Sequence, residues 1–388
     1  MVDQKKDYIC IVVLFVTFLV NNMDRYTVAG VLTKVQAYYK LTDAEAGFIQ
    51  TVFLISYMVG SPICGYVGDR FNRKIIILIG MAIWLIAACL STFATNFWVF
   101  LAFRSLVGIG EACIVNIAPT IISDMFSSAA RTRVYMFFYL SVPIGSGLGY
   151  IVSSSVSAVL DSWQWGVRCT GVIGIICYLS VIFFVYDPVR GEADRLEGKP
   201  VVAQSTSYIQ DLIILVKTPT YIFVTVAYTA LVFTSGTLTW WMPTIIQYGQ
   251  AWKKGYNDVK ELPSNFASRI GSVFGVVTSL AGLGGVFLGS LIAQAMLQGW
   301  GCCSIIKNRR AHSISSGLGA FLAAPALMIV LTVFVAVAIL GISFNWGLNV
   351  EVYNKVVAPE RRSTAFSYVT LISHLCGDAS GPYIIGAV

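Results

Sequence analysis

The stretch FWVFLAFRSLVGIGEACIVNIAPTIISDM, from Phe97 to Met125, decides the fold. It is apolar and long enough to cross a hydrocarbon core about 30 Å thick, yet it carries Arg104 and Glu111 inside it. Gly108 and Glu111 follow Arg104 by four and seven residues, so in a helix the three share one stripe: a cation, a gap and a carboxylate. A charge left in hydrocarbon costs about 2.5 to 3.5 kcal/mol on insertion scales unless it faces a wet cavity or a partner. The stripe must therefore point at something polar that other segments provide.

The rest of the composition describes a multi-pass membrane protein. Of the 388 residues 57% are hydrophobic and only 12% charged, and the mean hydropathy is +0.76, whereas soluble domains are roughly a quarter charged. Tyr8 to Val31 is too long for a signal-peptide core and has no small-residue cleavage site, so it reads as a retained first span. The net charge of +7 raises nucleic acid as a partner, but the lysines and arginines are spread over loops between apolar spans, which argues against it. No nucleophile triad, metal-ligand spacing or phosphate-cradling glycine loop occurs. Neither an enzyme nor an ATP-driven pump is expected, and no cofactor or metal. Of nine cysteines, Cys10, Cys64, Cys89, Cys113, Cys177 and Cys376 lie in predicted spans and read as buried thiols. Cys302 and Cys303 sit in a basic loop where palmitoylation is conceivable.

Apolar spans fall near residues 8 to 31, 46 to 68, 75 to 95, 97 to 122, 134 to 159, 167 to 186, 219 to 247, 269 to 298, 315 to 332, 333 to 354 and 363 to 388, eleven in all. With a cytoplasmic N-terminus, seventeen of the 26 lysines and arginines lie on the cytoplasmic side and seven opposite, with Arg25 and Arg104 in the membrane. That split satisfies the positive-inside rule. The longest polar stretch, Asp187 to Lys217, separates six spans from five. Residues 1–186 are therefore expected to form one helix bundle, 187–217 a cytoplasmic linker, and 218–388 a second bundle. Within the linker, SYIQDLIILVK reads as an amphipathic helix on the membrane surface. Two irregularities remain. Ser315 to Asn354 holds two spans with no polar turn near Thr332, as though a short loop were missing, and the chain stops on the side opposite its N-terminus.

Between the second and third spans lies GYVGDRFNRK, Gly65 to Lys74. Gly65 lets a neighbouring helix approach, and Asp69 is placed to accept from the N-terminus of another helix, where N–H groups and the dipole favour an anion. Arg70, Arg73 and Lys74 are expected to stay in the cytoplasm beside anionic headgroups. A basic topology anchor is the plainer reading of this loop alone. The loop resembles the signature G-x-x-x-D-R-x-x-R-K of the major facilitator superfamily, and RSLVGIGEA, Arg104 to Ala112, resembles its fourth-helix motif R-x-x-x-G-x-x-E-A. The finer resemblance is to the Spinster family, through NNMDRYTVAG (from Asn21), FRSLVGIGEA (from Phe103), TWWMPTIIQ (from Thr239) and ERRSTAFSYVTLISHLCGDASGPYIIGA (from Glu360). It implies an all-α membrane fold of twelve helices in two bundles around a central cavity, with eleven helices present here. It also implies alternating access and export of sphingolipid or lysophospholipid, often coupled to protons. The chain departs from the family by ending after helix 11, and by lacking an Asp-Arg pair between Gln298 and Arg310, where a second signature would sit.

The first span supplies what Arg104 and Glu111 demand. Asp24 lies about 24 Å along its helix from the cytoplasmic start, and Arg104 about 10 Å in from the opposite face, so the depths nearly coincide. Asp24 and Arg25 are neighbours in sequence, point in different directions and cannot serve one partner. The expectation is that Asp24 and Glu111 carry protons while Arg104, with Arg25 in a second role, receives an anionic headgroup. Guanidinium binds phosphate through two parallel hydrogen bonds, and a desolvated carboxylate can take up a proton near neutral pH. Competition couples the two: protonating the carboxylate frees the arginine. The alternative is a static ion-pair network tying helix 1 to helix 4.

Helix 11 adds His374 and Asp378 on one face, a second relay or an ordinary interhelical hydrogen bond. Pro382 there and Pro143 in helix 5 are candidate bends, for gating or for packing alone. Glu351 is placed to clamp a neighbouring helix or Arg361. Trp240, Trp241 and Pro243 are gate or interfacial-anchor candidates. Gly282, Gly285, Gly289, Gly145 and Gly149 have spacing suited to close helix contact.

The leading expectation is a monomeric, proton-coupled secondary transporter of a phosphate-bearing single-chain lipid, in the lysosomal, late endosomal or plasma membrane. A small organic anion carrier and a non-transporting membrane sensor or scaffold are the alternatives. Its partners would be an amphipathic anion, the membrane and protons.

Overall fold

The computed structural model describes residues 4–196, 208–255, 264–299, 310–327, 332–358 and 361–380. Helix α1 (Gln4–Gly30) turns at Val31 into α2 (Leu32–Tyr39), which ends at Lys40 in the left-handed conformation (φ 56°). Thr42 and Glu45 then form a reciprocal capping box and start α3 (Asp43–Arg70). The side-chain oxygens of Asn72 and Asn96 accept from Ile75 N–H (3.2 Å) and Trp98 N–H (2.8 Å), starting α4 (Arg73–Ser91) and α5 (Phe97–Met125). Next come α6 (Ser128–Tyr139), α7 (Ser141–Val159), α8 (Trp163–Phe184), and the short α9 (Glu192–Leu196) and α10 (Tyr208–Val216). The chain continues through α11 (Pro219–Lys253), α12 (Ser264–Gln298), α13 (Ala311–Leu327), α14 (Thr332–Ser343), α15 (Asn345–Val356) and α16 (Arg362–Ser373), then a π turn His374–Asp378.

The protein is all-α, with no strand among the described residues. Nine stretches there are long and apolar enough to cross a membrane. Helix α13, and α16 with its π turn, stand where the other two expected spans lie. The turn sought near Thr332 falls at 328–331, and Pro382 at 381–388, both outside the described residues, as are Cys302 and Cys303 and the side chains of Trp240, Trp241 and Pro243.

The fifth span is interrupted beside Pro143, the residue read as a candidate bend. It breaks at Leu140 between α6 and α7, because Pro143 has no N–H to offer the Tyr139 carbonyl and its ring crowds that group. The tenth span breaks at Phe344 between α14 and α15, where the Asn345 side chain donates back to the carbonyls of Gly341 and Ile342 at 3.4 and 3.3 Å.

Helix α5 is the post around which the first segments pack. A Cβ on Gly110 would lie 2.6 Å from both Gly80 O and Trp84 N of α4, and one on Gly108 would run into the Phe53 carbonyl of α3. Only bare backbone allows both neighbours that close. Helix α7 lies on α1 over Gly145 and Gly149, and α12 meets Pro143, Leu340 and Phe344 at Gly282, Gly285 and Gly289. Several helix pairs join the chain before Asp187 to the chain after Lys217, chiefly α7 against α12, α3 against α16 and α6 against α15. Of the thiols expected to be buried, Cys10, Cys64, Cys113 and Cys177 are; Cys89 and Cys376 instead lie exposed on the outer faces of their helices. A thiol is apolar enough to sit against lipid there.

Candidate functional site

Within its apolar span α1 presents Asp24 and Arg25 to two different levels of α5. Asp24 Oδ2 lies 3.6 Å from Arg104 Nη1, and both side chains are 1% exposed. The same carboxylate accepts from Trp84 Nε1 on α4 (3.1 Å) and Thr170 Oγ1 on α8 (2.7 Å), so three helices converge on it. One residue on, Arg25 turns the other way and donates from Nη2 and Nε to Glu111 Oε2, at 3.3 and 3.4 Å. The result is two crossed ion pairs, Asp24–Arg104 and Arg25–Glu111, between the same two helices. They are not saturated: Arg104 Nε and Nη1 and Glu111 Oε1 make no hydrogen bond among the described residues.

Both guanidinium groups also lie over aromatic rings. Arg25 is 4.8 Å from the Tyr57 ring centre and 5.3 Å from Phe53, and Arg104 is 5.5 Å from Phe53. Such contacts are worth more when desolvated, about 2 kcal/mol each. Tyr57 then meets His374 of the π turn edge to face at 4.9 Å. His374 Nδ1 lies 2.6 Å from Asp378 Oδ1, and Asp378 abuts Gly236 of α11 and is within electrostatic reach of Arg25. The π turn thus carries helix 11's His–Asp pair to the first-half charges through one tyrosine. Tyr57, Phe53, Trp84 and Thr170 were missed in the sequence. A tryptophan or tyrosine inside an apolar span is the available signal, since its N–H or O–H seeks an acceptor when buried.

Beside this cluster lies a cavity of about 40 Å³, room for about three waters. Its lining mixes the hydroxyl residues Tyr26, Ser146, Ser235, Thr239, Thr278 and Ser343 with apolar side chains, Val142, Leu238 and Trp346 among them.

The signature loop sits at the face that carries the N-terminus. Asp69 accepts from the backbone N–H groups of Ser363 (3.2 Å) and Thr364 (2.8 Å) and from Thr364 Oγ1 (2.5 Å), at the first turn of α16. These N–H groups have no partner within their own helix, and the dipole favours the carboxylate. Gly65, one turn earlier, has Ser367 of α16 against its backbone. Arg70 stays exposed over the Tyr66 ring at 3.9 Å.

Arg73 and Lys74 depart from the expectation of a solvated basic loop. Arg73 is 2% exposed, bonded to Asp124 (2.6 Å), Asp187 (2.7 Å) and the Pro188 carbonyl (2.7 Å), because two carboxylates can replace its hydration shell. Lys74 is half-buried and donates to Ile182 O at 2.7 Å. Asp124 also takes Arg362 Nη1 at 3.4 Å and Gly191 N–H at 3.1 Å, and Arg190 Nη2 donates to Gly68 O and Phe71 O. The start of the expected linker is therefore strapped onto the loop. Further along, Asp211 of α10 pairs with Arg361 at 2.6 Å. Glu351 is buried on α15, 3.8 Å from Lys355.

The model of the family "Major Facilitator Superfamily" matches residues 14–381. The Danio rerio protein spinster homolog 3 is 34% identical over 399 residues, covering 100% of this chain and 78% of that protein. The chain is a Spinster member of the major facilitator superfamily. Drosophila melanogaster protein spinster is 37% identical over 99% of the chain, which spans 62% of that protein's length. A bacterial homologue of the human lysosomal transporter Spinster, crystallised inward-facing and unoccupied, superposes with TM-score 0.64 at 20% identity, over 100% of this chain and 83% of that one. That likeness bears on the fold. As a Spinster member the chain is a multi-pass membrane transporter and not an enzyme.

Proposed function

We propose that this Spinster member moves a phosphate-bearing single-chain lipid, sphingosine-1-phosphate or a lysophospholipid, by alternating access coupled to protons. The crossed pairs carry the reading. Each arginine is held by one carboxylate, and Arg104 faces Asp24 at a long 3.6 Å with Nε making no hydrogen bond among the described residues, which suits it to a phosphate oxygen. Protonation of Glu111 releases Arg25 toward the cavity, and an anion that takes the arginine in turn favours the protonated carboxyl. Carboxylate and anion thus compete for the same cations, and the proton decides between them.

The mixed lining of hydroxyls and apolar side chains supports an amphipathic cargo. Six hydroxyls lining one small space also favour a second reading, a small organic anion carrier. In the leading scheme residues 1–186 and 218–388 rock as two bundles about residues 187–217, as a monomer with its N-terminus cytoplasmic. Asp69 on α16 and Asp124 with Arg362 hold one side shut. The membrane is lysosomal, late endosomal or plasma membrane.

Uptake of labelled lysolipid and of small organic anions into proteoliposomes, with and without a pH step, tests this. Lysolipid uptake that rises with the pH step supports it. Uptake of small anions alone transfers the assignment to the second reading, and no uptake of either leaves a sensor or scaffold.

A further inference from the structure

We infer that Cys64 and Cys113 are a disulfide-forming pair, a covalent modification site that staples α3 to α5. Their sulfurs are 2.8 Å apart, and both side chains are buried. A disulfide needs about 2.05 Å between sulfurs, so the pair has less than about 1 Å to close. The two helices run close beside the pair. One turn away, a Cβ on Gly60 of α3 would be 3.3 Å from Ile109 Cα of α5, so these helices touch at main-chain distance. Gly80 of α4 leaves room for Cys113, since a Cβ added there would come within 2.8 Å of its sulfur. Metal capture fits less well, since no group of three or more candidate ligand residues occurs among the described residues.

Cys64 lies six residues before Arg70, about 9 Å inside the end of α3, among buried apolar residues. The oxidant suited to it is neutral and able to enter an apolar site: a hydroperoxide, whether hydrogen peroxide or an organic one. One sulfur attacks the outer peroxide oxygen, the O–O bond breaks and a sulfenic acid forms with release of the alcohol or water. The second sulfur displaces water from it. In sum two thiols and ROOH give a disulfide, ROH and water; sulfur is oxidised and the peroxide bond reduced. The new bond joins the helix bearing Tyr57 and Asp69 to the helix bearing Arg104 and Glu111, and does not cross from α3 to α16. It therefore stiffens one helix group without bridging the two halves.

The test uses the full chain in nanodiscs, treated with hydrogen peroxide or tert-butyl hydroperoxide, then denatured, alkylated with N-ethylmaleimide and mapped by mass spectrometry. The peptides bearing Cys64 and Cys113 are expected as one cross-linked species lighter by two hydrogens, unalkylated until dithiothreitol is added. The apparent melting temperature should rise by several degrees with the cross-link. Cys64→Ala should remove the cross-link and leave Cys113 alkylated or oxidised alone. Recovery of the two peptides separately, both alkylated or each independently oxidised, overturns the inference. Mapping of the unmutated chain decides the matter even if Cys64→Ala fails to fold.

Discussion

Glu111→Gln separates a working proton site from a static clamp. Glutamine keeps the shape and removes the charge. At 3.3 Å and an effective dielectric near 20, the Arg25–Glu111 attraction is about 5 kcal/mol before desolvation is subtracted. In the variant Arg25 keeps the Tyr57 and Phe53 rings, a neutral amide and the more distant Asp378, the state that protonated Glu111 would produce. One pH unit is worth about 1.4 kcal/mol per coupled proton, about a tenfold accumulation of substrate. In proteoliposomes with a one-unit pH step, the unmutated chain should therefore concentrate lysolipid about tenfold per proton. Glu111→Gln should equilibrate it without concentrating it, while substrate exchange across the bilayer persists. Full pH-driven accumulation by Glu111→Gln would refute the reasoning, since this carboxylate would then carry no proton. Loss of exchange together with loss of expression would instead mark the pair as structural.

Asp24→Asn sets an amide donor against the three donors that now converge on the carboxylate, and should cost about 3 kcal/mol of stability, read as lower yield and a lower melting temperature. Tyr57→Leu removes the ring between Arg25 and His374 and should alter the pH profile of transport, whereas Tyr57→Phe, which keeps the ring, should leave it near the original. Asp69→Ala strips the first turn of α16 of its cap, worth about 1 to 2 kcal/mol. Cysteines placed on facing positions of α3 and α16 should then label about tenfold faster from that side. Gly65→Val puts a side chain where Ser367 now lies, and should hold the same contact open with matching labelling.

What could be read in the chain and what could not divide along a physical line. The fourth span declared its own need, because two charges in an apolar helix are costly wherever they sit, and matched depths named Asp24 as a partner. Asp69 was equally legible, since a carboxylate at a helix end has few uses besides capping another helix. Arg73 was misread: a loop of basic residues looks solvated until folding brings Asp124 and Asp187, each more than fifty residues away, around one guanidinium.

Sequence by itself therefore determined that this protein is a bundle of membrane helices, roughly where they run, and that charges on helices 1 and 4 must meet. Those conclusions rest on burial cost and helical period, which act locally along the chain. Only the tertiary structure decided which arginine takes which carboxylate, that Tyr57 links Arg25 to His374, and that the stretch after Phe184 straps the signature loop. Each of these depends on rotations between helices, fixed where glycine lets backbones touch and proline breaks a span, so no single stretch of sequence contains them.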